Sequence, residues 1–160
     1  MRLLSLYPPF LGAGIRVRIA PDRRTFEVRM KLSRWNRNYV GTHFGGSLYA
    51  MCDPFYMLIL IEALGPDYVV WDKAATIRFR RPGRGPVAAR FHIPEERIAE
   101  IRAAADAAGR TEPTFRAEVR HGRDGEGDLV AEVEKLLSVS RRDRVAAQLV
   151  ETLVEKDPGR

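Results

Sequence analysis

Apolar residues alternate with polar ones along two segments near the start of the chain. Residues 15–20 (IRVRIA) and 25–32 (TFEVRMKL) each place every second side chain on one apolar face, which is the period of a half-buried strand. Residues 21–24 (PDRR) lie between them and supply turn-forming side chains. The pattern predicts an antiparallel hairpin with one buried face, formed by Ile15, Val17, Ile19, Phe26, Val28, Met30 and Leu32.

The period changes after a polar loop at residues 33–42. Residues 45–65 (GGSLYAMCDPFYMLILIEALG) are apolar on nearly every side, and a helix of that kind is buried by the elements around it. We predict a core helix over residues 46–63. Pro54 removes the backbone hydrogen bond from its own nitrogen and disfavours helical geometry at Asp53, so we expect the helix to bend at this aspartate.

The remaining segments continue a mixed pattern of helices and strands. Strand patterns cover residues 67–83 and 86–93, separated by a Gly-Arg-Gly turn; a helical pattern covers 94–110; strand patterns at 114–121 and 129–140 form a second hairpin; and an amphipathic helix with Val145, Leu149 and Leu153 on one stripe covers about 141–156. We therefore expect an α+β fold, with an antiparallel sheet wrapped around one long central helix and additional short helices. We expect one domain over residues 1–160, with its core at about 15–140.

Charge and cysteine content narrow the choice of partners and compartment. The 27 basic and 21 acidic residues give a net charge of +6, which favours anionic partners; residues 78–85 (RFRRPGRG) hold the densest basic cluster. The single cysteine, Cys52, excludes an intramolecular disulfide. Pro8 and Pro9 break the apolar N-terminal segment, which makes it a poor signal peptide, and no other stretch approaches the ~20 apolar residues of a membrane span. We expect a soluble, cytoplasmic protein.

The stretch from Asn38 to Asp53 (NYVGTHFGGSLYAMCD) resembles the signature of the hotdog-fold acyl-CoA thioesterases, Asn-x-x-Gly-x-x-His-Gly-Gly followed by an acidic residue. Asn38, Gly41, Gly45 and Gly46 have the family spacing, Asp53 stands at the acidic position, and Phe44 replaces the family histidine, with His43 one residue earlier. Residues 41–54 (GTHFGGSLYAMCDP), residues 69–84 (VVWDKAATIRFRRPGR) and the extra helical pattern at 94–110 are most similar to the thioesterase-like, DUF4442-type branch. The resemblance implies a hotdog fold and hydrolysis of a thioester.

The residue chemistry is compatible with that activity. A carboxylate can activate water or attack directly, so Asp53 is the candidate base or nucleophile; the alternatives are a carboxylate paired with an arginine and one at a wet dimer interface. Gly45 and Gly46 could expose helix N–H groups to a thioester carbonyl or serve close packing. Asn38 could orient the reactants or cap the loop, and His43 is a candidate catalytic residue whose alternative is a structural loop role. Asp72 could assist the acid, or bond Lys73 or a loop.

The resemblance also implies binding and assembly. Arg80, Arg81 and Arg84 flank a strand end at which related enzymes bind the phosphates of coenzyme A, although such a cluster is also ordinary surface; with Asp72 and Lys73 they form the predicted substrate-binding set. We expect no metal and no cofactor beyond coenzyme A as part of the substrate. Since one hotdog unit leaves a sheet edge open, we expect a homodimer or homotetramer.

Three other functions fit less well. The HFGG motif is similar to that of hotdog acyl-carrier-protein dehydratases, but Met57 stands at the position of their acid. A non-catalytic acyl-CoA binding protein is compatible with Phe44 at the histidine position and stays open. A nucleic-acid-binding module would account for the charge, but the chain has no helix-turn-helix, RNP or zinc pattern.

Overall fold

A computed structural model describes residues 4–145 of the chain. Its strands form one seven-stranded antiparallel sheet in the order β1-β2-β4-β6-β7-β3, with β5 paired to β7. The elements in chain order are a 3-10 turn Leu4–Leu6, α1 Pro8–Ala13, β1 Ile15–Ile19, β2 Thr25–Met30, α2 Gly45–Ala50, α3 Phe55–Leu64, β3 Tyr68–Phe79, β4 Val87–His92, α4 Glu95–Ala108, β5 Arg110–Thr111, β6 Thr114–His121 and β7 Leu129–Arg141.

The first hairpin has the predicted register and buried face. Ile15 lies opposite Met30, Val17 opposite Val28, and Ile19 opposite Phe26. Four of these side chains, Ile15, Phe26, Val28 and Met30, are at most 1% exposed. The alternation in sequence therefore identifies the core face of this hairpin correctly.

The central helix is two helices rather than one. α2 ends at Ala50, α3 begins at Phe55, and residues 51–54 form a turn between them. Pro54 sits at the N-cap of α3, so the predicted bend at Asp53 is confirmed: the central helical segment predicted over residues 46–63 is present and is interrupted at residues 51–54. The sheet covers both segments, with Phe55, Ile59 and Leu60 fully buried. This is the hotdog architecture that the resemblance implies.

The strands on either side of the Gly-Arg-Gly segment are not neighbours. β3 pairs with β7 at one side of the sheet, while β4 lies between β2 and β6. Within residues 4–145, β3 has no partner along its outer edge. A bulge shifts the β3 register between Asp72 and Ala74, so Asp72 lies opposite the buried Leu137 and Ala75 lies opposite the buried Lys135.

The later elements match their predictions closely. α4 begins after Pro94 and ends at Gly109, which adopts a left-handed conformation with φ of 76° and caps the helix as glycine does best. β6 and β7 form the second hairpin. The short strand β5 has no counterpart among the predicted elements. Leu149 and Leu153 of the predicted C-terminal helix lie outside the described residues.

Contrary to the expectation that no stretch approaches a membrane span, residues 45–64 satisfy the length and hydropathy criteria for one. Half of the apolar window is buried inside the protein, as expected for a core helix. The criterion is therefore weak evidence for a membrane span here.

Two asparagines organise the loop that leads into α2. Asn36 is 2% exposed, and its amide nitrogen donates to the carbonyl groups of Ala13 and Lys31, both at 2.8 Å. Asn38 donates through its side chain to Thr42 Oγ1 at 2.9 Å and to the His43 carbonyl at 3.3 Å, and its Oδ1 accepts from the loop amides at positions 40 and 42. The loop shape is therefore set by amide side chains.

His43 ties this loop to the segment after β3. Its backbone N–H donates to the Gly83 carbonyl at 3.0 Å, and its Nε2 lies 2.8 Å from the Gly85 carbonyl oxygen. The side chain is 3% exposed, and Nδ1 has no partner among the described residues. Burial lowers the pKa of His43, with the bond to Gly85 acting in the opposite direction. The folded protein therefore favours the neutral imidazole.

This burial predicts an acid-sensitive loop. Below the unfolded histidine pKa of about 6.5, the unfolded chain gains a proton that folded His43 resists, so stability falls as pH drops through 6.5. We expect the difference in melting temperature between wild type and His43→Gln to shrink by about 2–4 °C from pH 7.5 to pH 5.5. Differential scanning calorimetry measures it, with His92→Gln, an exposed histidine on β4, as the control. An equal slope for wild type and His43→Gln would contradict the assignment.

Candidate active site

One buried ammonium group joins the two aspartates that the sequence singles out. Lys135 Nζ lies 2.8 Å from Asp53 Oδ1 and 3.1 Å from Asp72 Oδ1. It also lies 3.4 Å from the Tyr49 hydroxyl and 5.4 Å from the centre of the Tyr49 ring. The Lys135 side chain is 1% exposed, whereas 45% of the Asp53 side chain and 26% of the Asp72 side chain are exposed. We call Asp53, Asp72, Lys135 and Tyr49 the carboxylate cluster.

Each member of the carboxylate cluster is positioned by a local backbone feature. Asp53 lies in the turn that Pro54 creates between α2 and α3, and Tyr49 is in the last turn of α2. Asp72 lies immediately before the β3 bulge, a feature that re-aims side chains next to functional sites. Lys135 occupies an inward position of β7, and the inward residues on either side of it along the strand are fully buried.

The carboxylates shape the protonation of the cluster. Burial raises the pKa of Asp72, against the opposing effect of Lys135. Burial alone would lower the pKa of Lys135, but the hydrogen bond with Asp53 and the charges of both aspartates outweigh it, so the pKa is raised. Burial and the neighbouring Asp53 raise the pKa of Tyr49. Lys135 is therefore a cation at neutral pH, not a nucleophilic amine.

Sequence reasoning missed Lys135, although the sequence contains a signal for it. Along β7, the inward positions are Ala131, Val133, Lys135, Leu137 and Val139, and all five are buried. A lysine in an alternating apolar series requires anionic partners. Asp53 and Asp72 are the acidic residues that interrupt apolar patterns in the same way, so the three charges could have been matched.

Other predicted residues meet in a groove of about 500 Å³. The loop before α2, the start of α2 and the segment after β3 form its walls. The groove is lined by Asn38, Val40, Thr42, His43, Gly45, Leu48, Phe79, Arg80, Arg81, Pro82, Gly83 and Arg84. We call it the arginine groove. It brings together Asn38, His43, Gly45 and the three predicted arginines, while Asp53 and Asp72 are not among its lining residues.

The three groove arginines differ in their partners. Arg80 donates to Glu132, a glutamate with a 6% exposed side chain that also pairs with Arg116. Arg81 pairs with the exposed Asp128 at 3.1 Å. Within residues 4–145, the Arg84 guanidinium forms no ion pair. Arg84 is therefore the arginine most available to an anionic ligand.

Lys73 does not join either group. Its ammonium lies 2.7 Å from both carboxylate oxygens of Glu112, which also pairs with Arg110 at 2.8 Å. The alternative in which Asp72 bonds Lys73 is therefore not the observed one, since Asp72 pairs with Lys135.

Both glycines at the start of α2 are closely packed. A Cβ atom on Gly45 would lie 2.9 Å from Phe79 Cζ, and one on Gly46 would lie 2.4 Å from Phe44 Cε1. The first α2 amides that bond the Phe44 carbonyl are those of residues 47 and 48, so the Gly45 and Gly46 amides precede the first helical bond. The two glycines therefore combine close packing with N–H groups that form no hydrogen bond inside the helix.

The carboxylate cluster and the arginine groove lie at opposite ends of α2. Gly45 is the first residue of this six-residue helix and Tyr49 belongs to its last turn. At 1.5 Å of rise per residue the helix is ~9 Å long. Asp53 follows the end of this helix, so Gly45 and Asp53 of one chain lie at opposite ends of it.

Cys52 takes no part in the chemistry of either group. Its side chain is fully buried, and burial raises the pKa of its thiol to about 12. The interpretation of Cys52 as a buried apolar residue is confirmed.

Comparisons with solved structures identify the same fold in probable and named thioesterases. PA5026 of Pseudomonas aeruginosa, a probable thioesterase of unknown function, is 22% identical, with a TM-score of 0.75 over 88% of this chain and 93% of that chain. The thioesterase HI1161 of Haemophilus influenzae is 16% identical, with a TM-score of 0.62 over 86% of each chain. A mutant of the phenylacetic acid degradation protein PaaI of Thermus thermophilus is 26% identical, with a TM-score of 0.55 over 84% of this chain and 98% of that chain.

No curated protein matches the sequence. The domain of unknown function DUF4442 matches residues 1–139, a range that contains the loop before α2, the arginine groove and all four members of the carboxylate cluster. With its hotdog fold and its structural likeness to thioesterases, the chain belongs to the DUF4442 family.

Proposed function

We propose that this protein hydrolyses acyl-CoA thioesters to the free acid and coenzyme A, with Asp53 as the general base or nucleophile. The observation that carries the proposal is the partly exposed Asp53 carboxylate, anchored through one oxygen by the buried Lys135 ammonium. A carboxylate held in this way presents its second oxygen in a fixed direction, toward water or a thioester carbon.

The arginine groove supports the coenzyme A part of the proposal. Arg84 has no ion pair within the described chain, and Arg81 has only an exposed one; both are suited to phosphate oxygens. Gly45 lines the same groove, and its N–H, with that of Gly46 beside it, could donate to a thioester carbonyl. The Asn38 amide is hydrogen-bonded within the loop. Asn38 would therefore orient the reactants indirectly, by fixing the shape of that loop.

The distance between the two groups supports a site formed by two copies of the chain. Because Gly45 begins α2 and Asp53 follows its end, with the ~9 Å length of this helix between them, we infer that a second chain brings its own Asp53 to the groove. The β3 strand has an unpaired outer edge within the described residues, and Trp71 and Phe79 on this strand are 67% and 57% exposed. We propose a homodimer through β3, two of which could pair into a tetramer. A single buried cysteine, Cys52, is compatible with a reducing compartment, and we propose the cytoplasm.

Loss of the Asp53 charge tests the chemistry. Asp53→Asn keeps the size and removes the base, so we expect thioester hydrolysis to fall at least ~100-fold while ligand binding and oligomeric mass stay unchanged. Free-thiol release from a panel of acyl-CoA thioesters of different acyl length measures the rate. Asp67→Asn, at an exposed position before β3, is the matched control. Near wild-type turnover by Asp53→Asn would overturn the assignment of the site.

A non-catalytic acyl-CoA binding protein is the second candidate. It is favoured by Phe44 at the family histidine position and by the Asn38 amide, which already donates twice inside the loop. Tight acyl-CoA binding by wild type, with no hydrolysis of any thioester in the panel, would identify this function instead.

Neutralising Arg81 and Arg84, the two groove arginines without a buried partner, tests nucleotide binding. Each exposed charge pair contributes up to about 1 kcal/mol, so Arg81→Gln/Arg84→Gln should bind acyl-CoA roughly 10–30-fold more weakly, with a flatter salt dependence. Arg16→Gln/Arg18→Gln, on β1 at the opposite edge of the sheet, has the same net charge and should bind normally. Isothermal titration calorimetry compares acyl-CoA with an acyl-pantetheine that lacks the nucleotide. An equal loss for both ligands would show that the arginines do not contact the nucleotide.

Charges placed on the β3 edge test the assembly. A two-fold axis through an antiparallel edge pairing brings the same strand of both copies together, and like charges there repel. We expect light scattering to give a multiple of the 18.1 kDa chain mass for wild type and a single chain for Ala74→Glu/Thr76→Glu. Arg16→Glu/Arg18→Glu on β1 should keep the wild-type mass. A wild-type protein that is monomeric at micromolar concentration would contradict the proposal.

A further inference from the structure

Lys135 is placed where a cation is costly and can act only through its partners. Its side chain is 1% exposed, and β7 is hydrogen-bonded on both sides, to β3 and to β6. A solvent-inaccessible amine at this depth does not meet a substrate in the wild-type fold. Lys135 therefore acts through its effect on the charge and the orientation of the Asp53 and Asp72 carboxylates.

Three side-chain oxygens lie within 3.4 Å of the Lys135 ammonium nitrogen. Asp53 Oδ1 lies at 2.8 Å, Asp72 Oδ1 at 3.1 Å and the Tyr49 hydroxyl at 3.4 Å. The Asp72 contact is an ion pair rather than a hydrogen bond of good geometry, because Asp72 Oδ1 accepts no hydrogen bond from the described residues. One ammonium group thus faces two carboxylates, so it can balance the charge of only one of them.

Among the described residues, the groups that surround Lys135 are carboxylates, a thiol, a phenol and an aromatic ring, not a second cation. The titratable groups facing it are Asp53 and Cys52 in the turn after α2, Tyr49 on α2 and Asp72 on β3. On β6, the residue across from it is Phe115. Within residues 4–145, Lys135 is the one cation in contact with either aspartate.

We propose that Lys135 is a positioning residue of the active site, whose ammonium group allows Asp53 and Asp72 to be ionised side by side and fixes the direction in which Asp53 presents its free oxygen. The inference deepens the proposed function and rests on it for the reaction. Without the cation, two carboxylates would share a half-buried space, and like charges in such a site keep one of them protonated.

A double-mutant cycle separates this electrostatic role from a purely structural one. Lys135→Met removes the charge and keeps a long apolar stem. We expect a fall in kcat of at least ~10-fold, a KM within about threefold of wild type, and an acid limb of the pH–rate profile moved upward by about 1–3 pH units, the range typical of a lost ion partner. Adding Asp72→Asn removes the like charge and should return most of that shift. Lys135→Arg should retain the wild-type limb, and the exposed Lys31→Met is the control.

A second measurement does not depend on turnover. In ¹³C NMR titrations of the side-chain carboxyl groups, Asp72 should titrate at higher pH in Lys135→Met than in wild type, because the opposing effect of Lys135 is lost, and adding Asp53→Asn, which removes the like charge, should reverse the change. If the wild type hydrolyses no thioester but the titration still shifts in Lys135→Met, the proposed function is rejected and the role of Lys135 is kept. An unchanged titration and an unmoved acid limb in folded Lys135→Met would overturn the inference.

Discussion

The ammonium group of Lys135 lies inside the sheet, and a cation at that depth is stable only where anionic oxygens surround it. This requirement links three parts of the fold: the turn between α2 and α3, the bulge in β3, and the middle of β7. The last turn of α2, the turn that follows it and β3 each place an oxygen-bearing side chain toward Nζ. The helix interruption at Pro54 is therefore matched to the sheet, since a continuous helix would carry position 53 in a different direction.

The site has two parts with different physical characters. The carboxylate cluster is strongly coupled and partly shielded, so small changes in its charge affect several groups at once. The arginine groove is open and its ion pairs are mostly exposed, apart from the pair between Arg80 and the buried Glu132. Exposed arginines suit a flexible, charged ligand portion, whereas a shielded carboxylate suits chemistry at a single bond. A thioester of a nucleotide-bearing thiol combines both properties.

Much of the fold could be predicted because hydrophobic periodicity, and the glycine and proline residues that end a helix or strand, are local features of the sequence. The alternation from Ile15 to Met30 identifies a hairpin, and Gly109 marks the end of a helix. What could not be predicted is which strands become neighbours: the strands flanking the Gly-Arg-Gly segment look like a hairpin but lie at different places in the sheet. Likewise the spacing of the motif singles out Asp53, whereas Lys135 comes from a strand 82 residues away, and no local pattern states that the two meet.

The members of the carboxylate cluster differ in how firmly their backbones are held. Lys135 sits in the interior of a 13-residue strand bonded on both sides, so its main chain has little freedom. Asp53 belongs to the short turn between two helices, and Asp72 borders a bulge on the edge strand. The backbone of the cation is thus held by the sheet, whereas the two anions come from a connecting turn and from the margin of a bulge. The ammonium group of Lys135 serves as the reference point of the cluster, because the turn after α2 is placed correctly only where Asp53 meets it.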